Sequence, residues 1–243
     1  MARSASARRV ALAVFGAVAL AGCTTTQHAA QRERLDAARQ RAALEPTRVV
    51  AANTVVTATA ISEVRAAHRT AFVVTIHNAG KTAVTDLPIS VGYTTPGGVS
   101  VYLNAAASLT YFEAHLPAIR AGGELTWVYT VNRRLPKAAR AFARVGRKPA
   151  APALLTETNV SIKVRYHYSS STGSLSVQLD NPTSVPQYQL QLYAYARRGA
   201  QYVGAANRTI MTLGAGSKRS INLGLVGASS DELHVQVVPT ILQ

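Results

Sequence analysis

From residue 72 onward, apolar and polar side chains alternate with period two. Phe72, Val74 and Ile76 alternate with Val73, Thr75 and His77; Leu87, Ile89, Val91 and Tyr93 alternate with Pro88, Ser90 and Gly92. Leu125, Trp127, Tyr129 and Val131 do the same after the turn Ala121-Gly122-Gly123. Successive side chains of a strand point to opposite faces, so this pattern predicts half-buried strands separated by Asn-, Gly- and Pro-rich turns. Pro88 cannot donate to a ladder, which predicts that its strand lies at an edge or starts late.

The second half repeats the pattern. Leu175, Val177 and Leu179 lie 103 residues after Phe72, Val74 and Ile76, and at the same offset Asn181 matches Asn78 while Leu190 and Leu192 match Leu87 and Ile89. Ile119-Arg120-Ala121-Gly122 then aligns with Leu213-Gly214-Ala215-Gly216 at offset 94, and Trp127 and Tyr129 align with Ile221 and Leu223. The first copy therefore carries nine extra residues, expected within 94–113. Short strands at regular spacing, about seven per copy, predict an all-β chain of two tandem immunoglobulin-like antiparallel β-sandwiches. The expected domains are 47–146 and 153–243, joined by a proline-containing linker at 147–152. About 90 residues suffice for one sandwich core, so the segment 153–243 is expected to fold alone.

Two stretches carry a family likeness. "LSVQLDNPTSVPQYQLQLYAYARRGAQYVGA", followed by "LGAGSKRSINL", resembles the FxLYD type of bacterial envelope domain. "FVVTIHNAGKTAVTDLPISVGY", followed by "LPAIRAGGELTW", resembles the related CARDB type of adhesion module. Both resemblances imply immunoglobulin-like sandwiches that act as spacers or binding modules. The stretch comparable to the Tyr-Asp pair of the FxLYD type reads Tyr193-Ala194-Tyr195.

Upstream of the strands the character changes. Residues 27–45 are strong helix formers ending before Pro46, with Leu35 and Leu44 as the only large apolar side chains. They predict a solvated, partly helical stalk over 23–46. Before it, Arg3, Arg8 and Arg9 precede a twelve-residue apolar run, Val10 to Ala21. A spanning helix needs about 20 residues, so this run reads as a signal peptide over 1–22 and not as a membrane span. Leu20-Ala21-Gly22-Cys23 resembles the lipobox of bacterial lipoproteins. That likeness implies cleavage before Cys23 and acylation of its thiol, placing the chain at the cell membrane, facing outside the cytoplasm. Cys23 is the only cysteine, so the folded part is expected to hold together without disulfides.

Without residues 1–22 the chain keeps 23 Lys and Arg against 11 acids, a net charge of +12. The excess is concentrated where Arg133, Arg134, Lys137, Arg140, Arg144, Arg147 and Lys148 fall between Glu124 and Glu157 without one acid. Such a stretch is either an edge strand and linker decorated with arginine or a contact for anionic headgroups or envelope polymers. Export makes nucleic acid an unexpected partner.

Catalytic chemistry has little to build on. The six histidines sit at no metal-ligand spacing, and the acids are scattered, so neither a metal nor a cofactor is expected. Gly214-Ala215-Gly216-Ser217-Lys218 superficially matches a phosphate loop, but strand-period residues Ile221, Leu223 and Leu225 follow it, which predicts a hairpin turn instead. Six of the ten tyrosines lie in the second copy. If Leu190 and Leu192 point inward, Tyr193 and Tyr195 point outward beside Gln189 and Gln191, as candidate partner contacts. These observations predict a lipid-anchored, non-enzymatic envelope module that binds or scaffolds proteins or polymers. The alternative is an enzyme or sensor with a site between the two domains.

Overall fold

The computed structural model describes residues 33, 48–49, 51–84, 87–106, 109, 111–147, 161–230 and 232–238. The expected signal peptide with Leu20, Ala21 and Gly22, the lipidation candidate Cys23, the expected stalk apart from Glu33, and the expected linker from Lys148 onward lie outside the described residues. Apart from one four-residue helix, the named elements are β-strands. The first half contributes β1 (Val56–Arg65), β2 (Thr70–Asn78), β3 (Leu87–Thr94), β4 (Ser100–Tyr102), helix α1 (Tyr111–Ala114), β5 (His115–Leu116), β6 (Glu124–Val131) and β7 (Arg140–Val145). The second contributes β8 (Lys163–Ser169), β9 (Ser174–Asp180), β10 (Gln187–Arg198), β11 (Gln201–Leu213), β12 (Lys218–Gly224), β13 (Val226–Gly227) and β14 (Glu232–Val238).

Every strand pair is antiparallel. Sheet I has the order β1-β2-β6; sheet II is centred on β3, with β7 along one side and β4 and β5 along the other. Pro88 therefore belongs to a central strand and not to an edge. It is the second residue of β3, and its carbonyl accepts the Gly146 amide at 2.7 Å, so only its missing N–H has to be tolerated. In the second half, sheet III has the order β8-β9-β12 and sheet IV the order β13-β11-β10-β14.

The two halves share a register. Val74 pairs with Trp127 in sheet I, and Val177 pairs with Ile221 in sheet III, which are the positions related by the sequence offsets. The turns match as well. The Asn78 amide donates to the carbonyls of Thr82, Ile119 and Arg120 at 2.9, 3.3 and 3.0 Å. The Asn181 amide donates to those of Val185, Leu213 and Gly214 at 2.8, 3.5 and 3.0 Å. Both asparagines are fully buried. At both corners a glycine, Gly122 or Gly216, takes φ near +60° (61° and 59°), which a side chain would resist.

The halves differ where the nine extra residues were expected. In the second half β11 runs as one strand along β10. In the first half its place beside β3 is divided between β4 and β5, with α1 directly before β5 in the chain. Asn104 occupies the gap. Its side-chain oxygen accepts the Val91 amide at 2.8 Å, and its amide donates to the carbonyls of Ile89 at 2.7 Å and Glu113 at 3.0 Å. A side chain thus satisfies the backbone groups that a continuous neighbouring strand would have paired.

Phe72, Val74 and Ile76 pack with Ile89, Val91, Leu116, Trp127 and Val145 between sheets I and II. Leu175, Val177, Leu179, Leu190, Leu192 and Ala194 form a second core between sheets III and IV. Each such large apolar side chain contributes roughly 1.5–3 kcal/mol on burial. A third packed layer lies between the halves. Ala71, Val73 and Val128, on the opposite face of sheet I, are buried against Tyr193, Ala205 and Val226 of sheet IV. The Thr130 hydroxyl meets the Asn207 side-chain oxygen at 2.7 Å, and Arg69 donates to the Gly224 carbonyl at 3.4 Å. The sheets therefore stack in the order II, I, IV, III. The turn at Gly214–Lys218 is not a hairpin, because it carries the chain from β11 in sheet IV to β12 in sheet III.

Candidate functional site

Tyr193 does not present itself to a partner. It points away from Leu190 and Leu192, as the alternation requires, but sheet I covers that face and leaves Tyr193 1% exposed. Gln189 and Gln191, expected on an open polar face, are also buried, and the Gln191 side chain bonds the Gln189 carbonyl and the Thr209 hydroxyl within sheet IV. Tyr195 is half-buried at the margin of the contact. Its ring stacks on His234 with centroids 5.1 Å apart and meets Tyr202 edge-on at 5.7 Å, and the Arg197 guanidinium lies 5.5 Å from the Tyr202 ring.

The basic stretch occupies several settings. Arg133, Arg134 and Lys137 are exposed in the connection between β6 and β7, and Arg147 is exposed just beyond β7. Arg140 and Arg144 are exposed on β7, a strand that flanks sheet II, so part of the run is the arginine-decorated edge that sequence allowed. Period two puts Arg140, Phe142 and Arg144 on one face of β7. In the middle of the sheet Gly92 pairs with Phe142 on one side and with Tyr102 on the other. A Cβ on Gly92 would fall 2.7 Å from Phe142 Cζ and 2.1 Å from the Val101 carbonyl oxygen, so the glycine makes room for the rings. Tyr102 and Phe142 meet edge-on, with centroids 5.3 Å apart. Arg144 lies 5.0 Å from the Phe142 ring centre, and Arg48 lies 5.7 Å from that of Tyr102. The result is a row, Arg48–Tyr102–Phe142–Arg144, in which guanidinium groups cap both ends of an aromatic pair.

Beyond Tyr102 the surface dips into an open recess of about 340 Å³ between Arg48 and Arg133, walled by Leu103, Ala105 and Val131. Its walls are fixed by the fold. The Thr70 hydroxyl donates to the Arg133 carbonyl at 2.9 Å, and the Tyr129 hydroxyl donates to the Leu103 carbonyl at 3.2 Å. Among the described residues, neither guanidinium has a carboxylate partner. A second recess of about 270 Å³ lies on the outer face of sheet III, lined by Lys163, Arg165, Gln178, Asp180 and Lys218. There Asp180 faces Lys218 at 3.7 Å and offsets part of the positive charge.

Arg48 and Tyr102 escaped sequence reasoning because nothing local marks them. They come together only when the segment around Val49 crosses sheet II, where the Val49 amide donates to Ser90 Oγ at 2.8 Å.

Two phenols have their ionisation suppressed. Burial raises the Tyr193 pKa, the charge of Glu113 adds to the shift, and among the described residues no hydrogen-bond partner meets its hydroxyl. Burial likewise raises the Tyr129 pKa, with Glu113 adding to the effect and Arg133 opposing it. Among the described residues, no group of three or more His, Cys, Asp or Glu side chains could hold a metal ion, and no helix is long and apolar enough to cross a membrane. No protein-family model matches this chain, and no curated protein matches it.

Proposed function

We propose that this chain is a lipid-anchored, non-enzymatic lipoprotein of the bacterial cell envelope, facing outside the cytoplasm, whose folded body binds or scaffolds envelope proteins or polymers. The observation that carries the reading is Leu20-Ala21-Gly22-Cys23, placed directly after a basic segment and a short apolar run and containing the only cysteine. The two halves are read as tandem immunoglobulin-like modules. The matched asparagine corners and the shared strand order support that reading, and with it the likeness to FxLYD and CARDB modules. The apolar packing of Tyr193, Ala205 and Val226 on sheet I favours a binding body over an enzyme or sensor with a site between the halves. Exposed Arg133, Arg134, Lys137, Arg140, Arg144 and Arg147 suit an anionic envelope surface.

Replacing Cys23 by serine tests the anchor. Metabolic labelling with a fatty-acid probe is expected to mark the wild type alone, and the variant is expected to leave the membrane fraction or accumulate as uncleaved precursor. Acyl labelling that survives Cys23→Ser overturns the proposal.

A further inference from the structure

We propose that the recess between Arg48 and Arg133 is a binding site for the phosphate of an anionic glycerophospholipid headgroup. Arg48 and Arg133, without carboxylate partners among the described residues, line one concave space, and none of its described lining residues is an acid. A planar guanidinium fork matches phosphate oxygens bidentately, which a lysine cannot do. The geometry is set before a ligand arrives. Arg48 rests over the Tyr102 ring, Tyr102 is braced by Phe142, and the Arg133 backbone is held by Thr70. The ring beside the recess is amphipathic, as suits the headgroup level of a membrane.

The choice of a lipid over a soluble phosphate rests on the anchored reading given above. Arg48 is 25 residues after Cys23 in sequence, and Arg48 and Val49 are the first residues after Glu33 that the structure describes, with the Val49 amide already bonded to Ser90 of sheet II. On the anchored reading the recess is therefore close in sequence to the lipid. Val99, on the turn that leads into β4, is the most exposed large apolar side chain described, at 62%, and adds an apolar contact to the same sheet. The recess on sheet III lacks this combination, because Asp180 lies within it and none of its described lining residues is aromatic.

The test uses the full chain in a neutral detergent, titrated with dihexanoyl-phosphatidylglycerol below its micelle concentration and followed by the NMR signals of the arginine Nε–H groups. Saturable shifts are expected at Arg48 and Arg133. Arg48→Gln and Arg133→Gln should each weaken binding at least tenfold, and Arg48→Lys should weaken it less, since charge is kept and only the fork is lost. Arg165→Gln on sheet III should change it less than twofold. All three sites are exposed, so unchanged circular dichroism is expected to accompany these effects. Absence of saturable binding, or Arg48→Gln and Arg133→Gln variants that bind within twofold of the wild type, overturns the site. Binding of a soluble glycerol-phosphate polymer without any response to the lipid overturns the choice of ligand. Neither readout depends on acylation, so failure here and failure of the Cys23→Ser experiment are distinguishable.

Discussion

Asn78 and Asn181 are 103 residues apart and make the same three donations, each to the carbonyl four residues ahead and to two carbonyls of the Gly-containing turn. Each stitches a strand end to a distant turn inside a fully buried setting.

Asn78→Ala and Asn181→Ala should therefore each destabilise the fold by about 2–3 kcal/mol, because buried carbonyls lose their donors without gaining water. Chemical denaturation of the two variants is the measurement. A loss below about 0.5 kcal/mol in either would show that the corner is not what holds that turn.

Tyr193 should respond to deletion of its hydroxyl in the opposite sense. The hydroxyl is buried without a hydrogen-bond partner among the described residues, so Tyr193→Phe removes an uncompensated desolvation cost and should raise stability by about 1 kcal/mol. Tyr193→Ala leaves a cavity between sheets I and IV and should cost about 3–5 kcal/mol. A Phe variant less stable than the wild type would reveal a partner for the hydroxyl.

The raised phenol pKa values of Tyr129 and Tyr193 make stability depend on alkali. Above the usual phenol pKa of about 10 the unfolded chain sheds these protons while the folded chain keeps them, so the folded state loses ground as pH rises. Their contribution is complete below pH 10 and declines above it. Alkaline unfolding monitored by circular dichroism should begin in that range, and Tyr193→Phe should move its midpoint upward. An unmoved midpoint would mean that Tyr193 ionises as readily in the folded chain.

A segment of residues 153–243 has its own core, built on Leu175, Val177, Leu190 and Leu192, and should give a β-type spectrum by itself. It also loses the cover over Tyr193, Ala205, Val226 and Val238. Exposed apolar faces of this kind drive association, so sedimentation should show oligomers, with Tyr193→Glu restoring the monomer. A monomeric segment as stable as the full chain would show that the packing of sheet I on sheet IV adds nothing.

Much of this architecture was legible in the sequence. The period-two runs from Phe72 and Leu175 became β2 and β9, the shared offsets became shared register, and the surplus residues fell where β4 and β5 are divided. What was not legible is what covers a face. Alternation says that Tyr193 opposes Leu192, but the partner that buries Tyr193 comes from sheet I, more than sixty residues away in sequence. The Gly214–Lys218 turn has the composition of a hairpin, and only long-range pairing sends β12 to a different sheet from β11. The arginine and aromatic row was half visible. Arg140, Phe142 and Arg144 share one strand, whereas Arg48 and Tyr102 reach them only through the fold.

The stacking order II, I, IV, III fixes more than packing. Stacked sheets lie about 10 Å apart, so three intervals hold the backbones of the two outermost sheets about 30 Å from each other. Sheet II and sheet III look in opposite directions, and no single small ligand can touch both. The body is in this sense a gauge block of set thickness: whatever grips the arginine row at one end sets the height at which Lys163, Arg165 and Lys218 are displayed at the other.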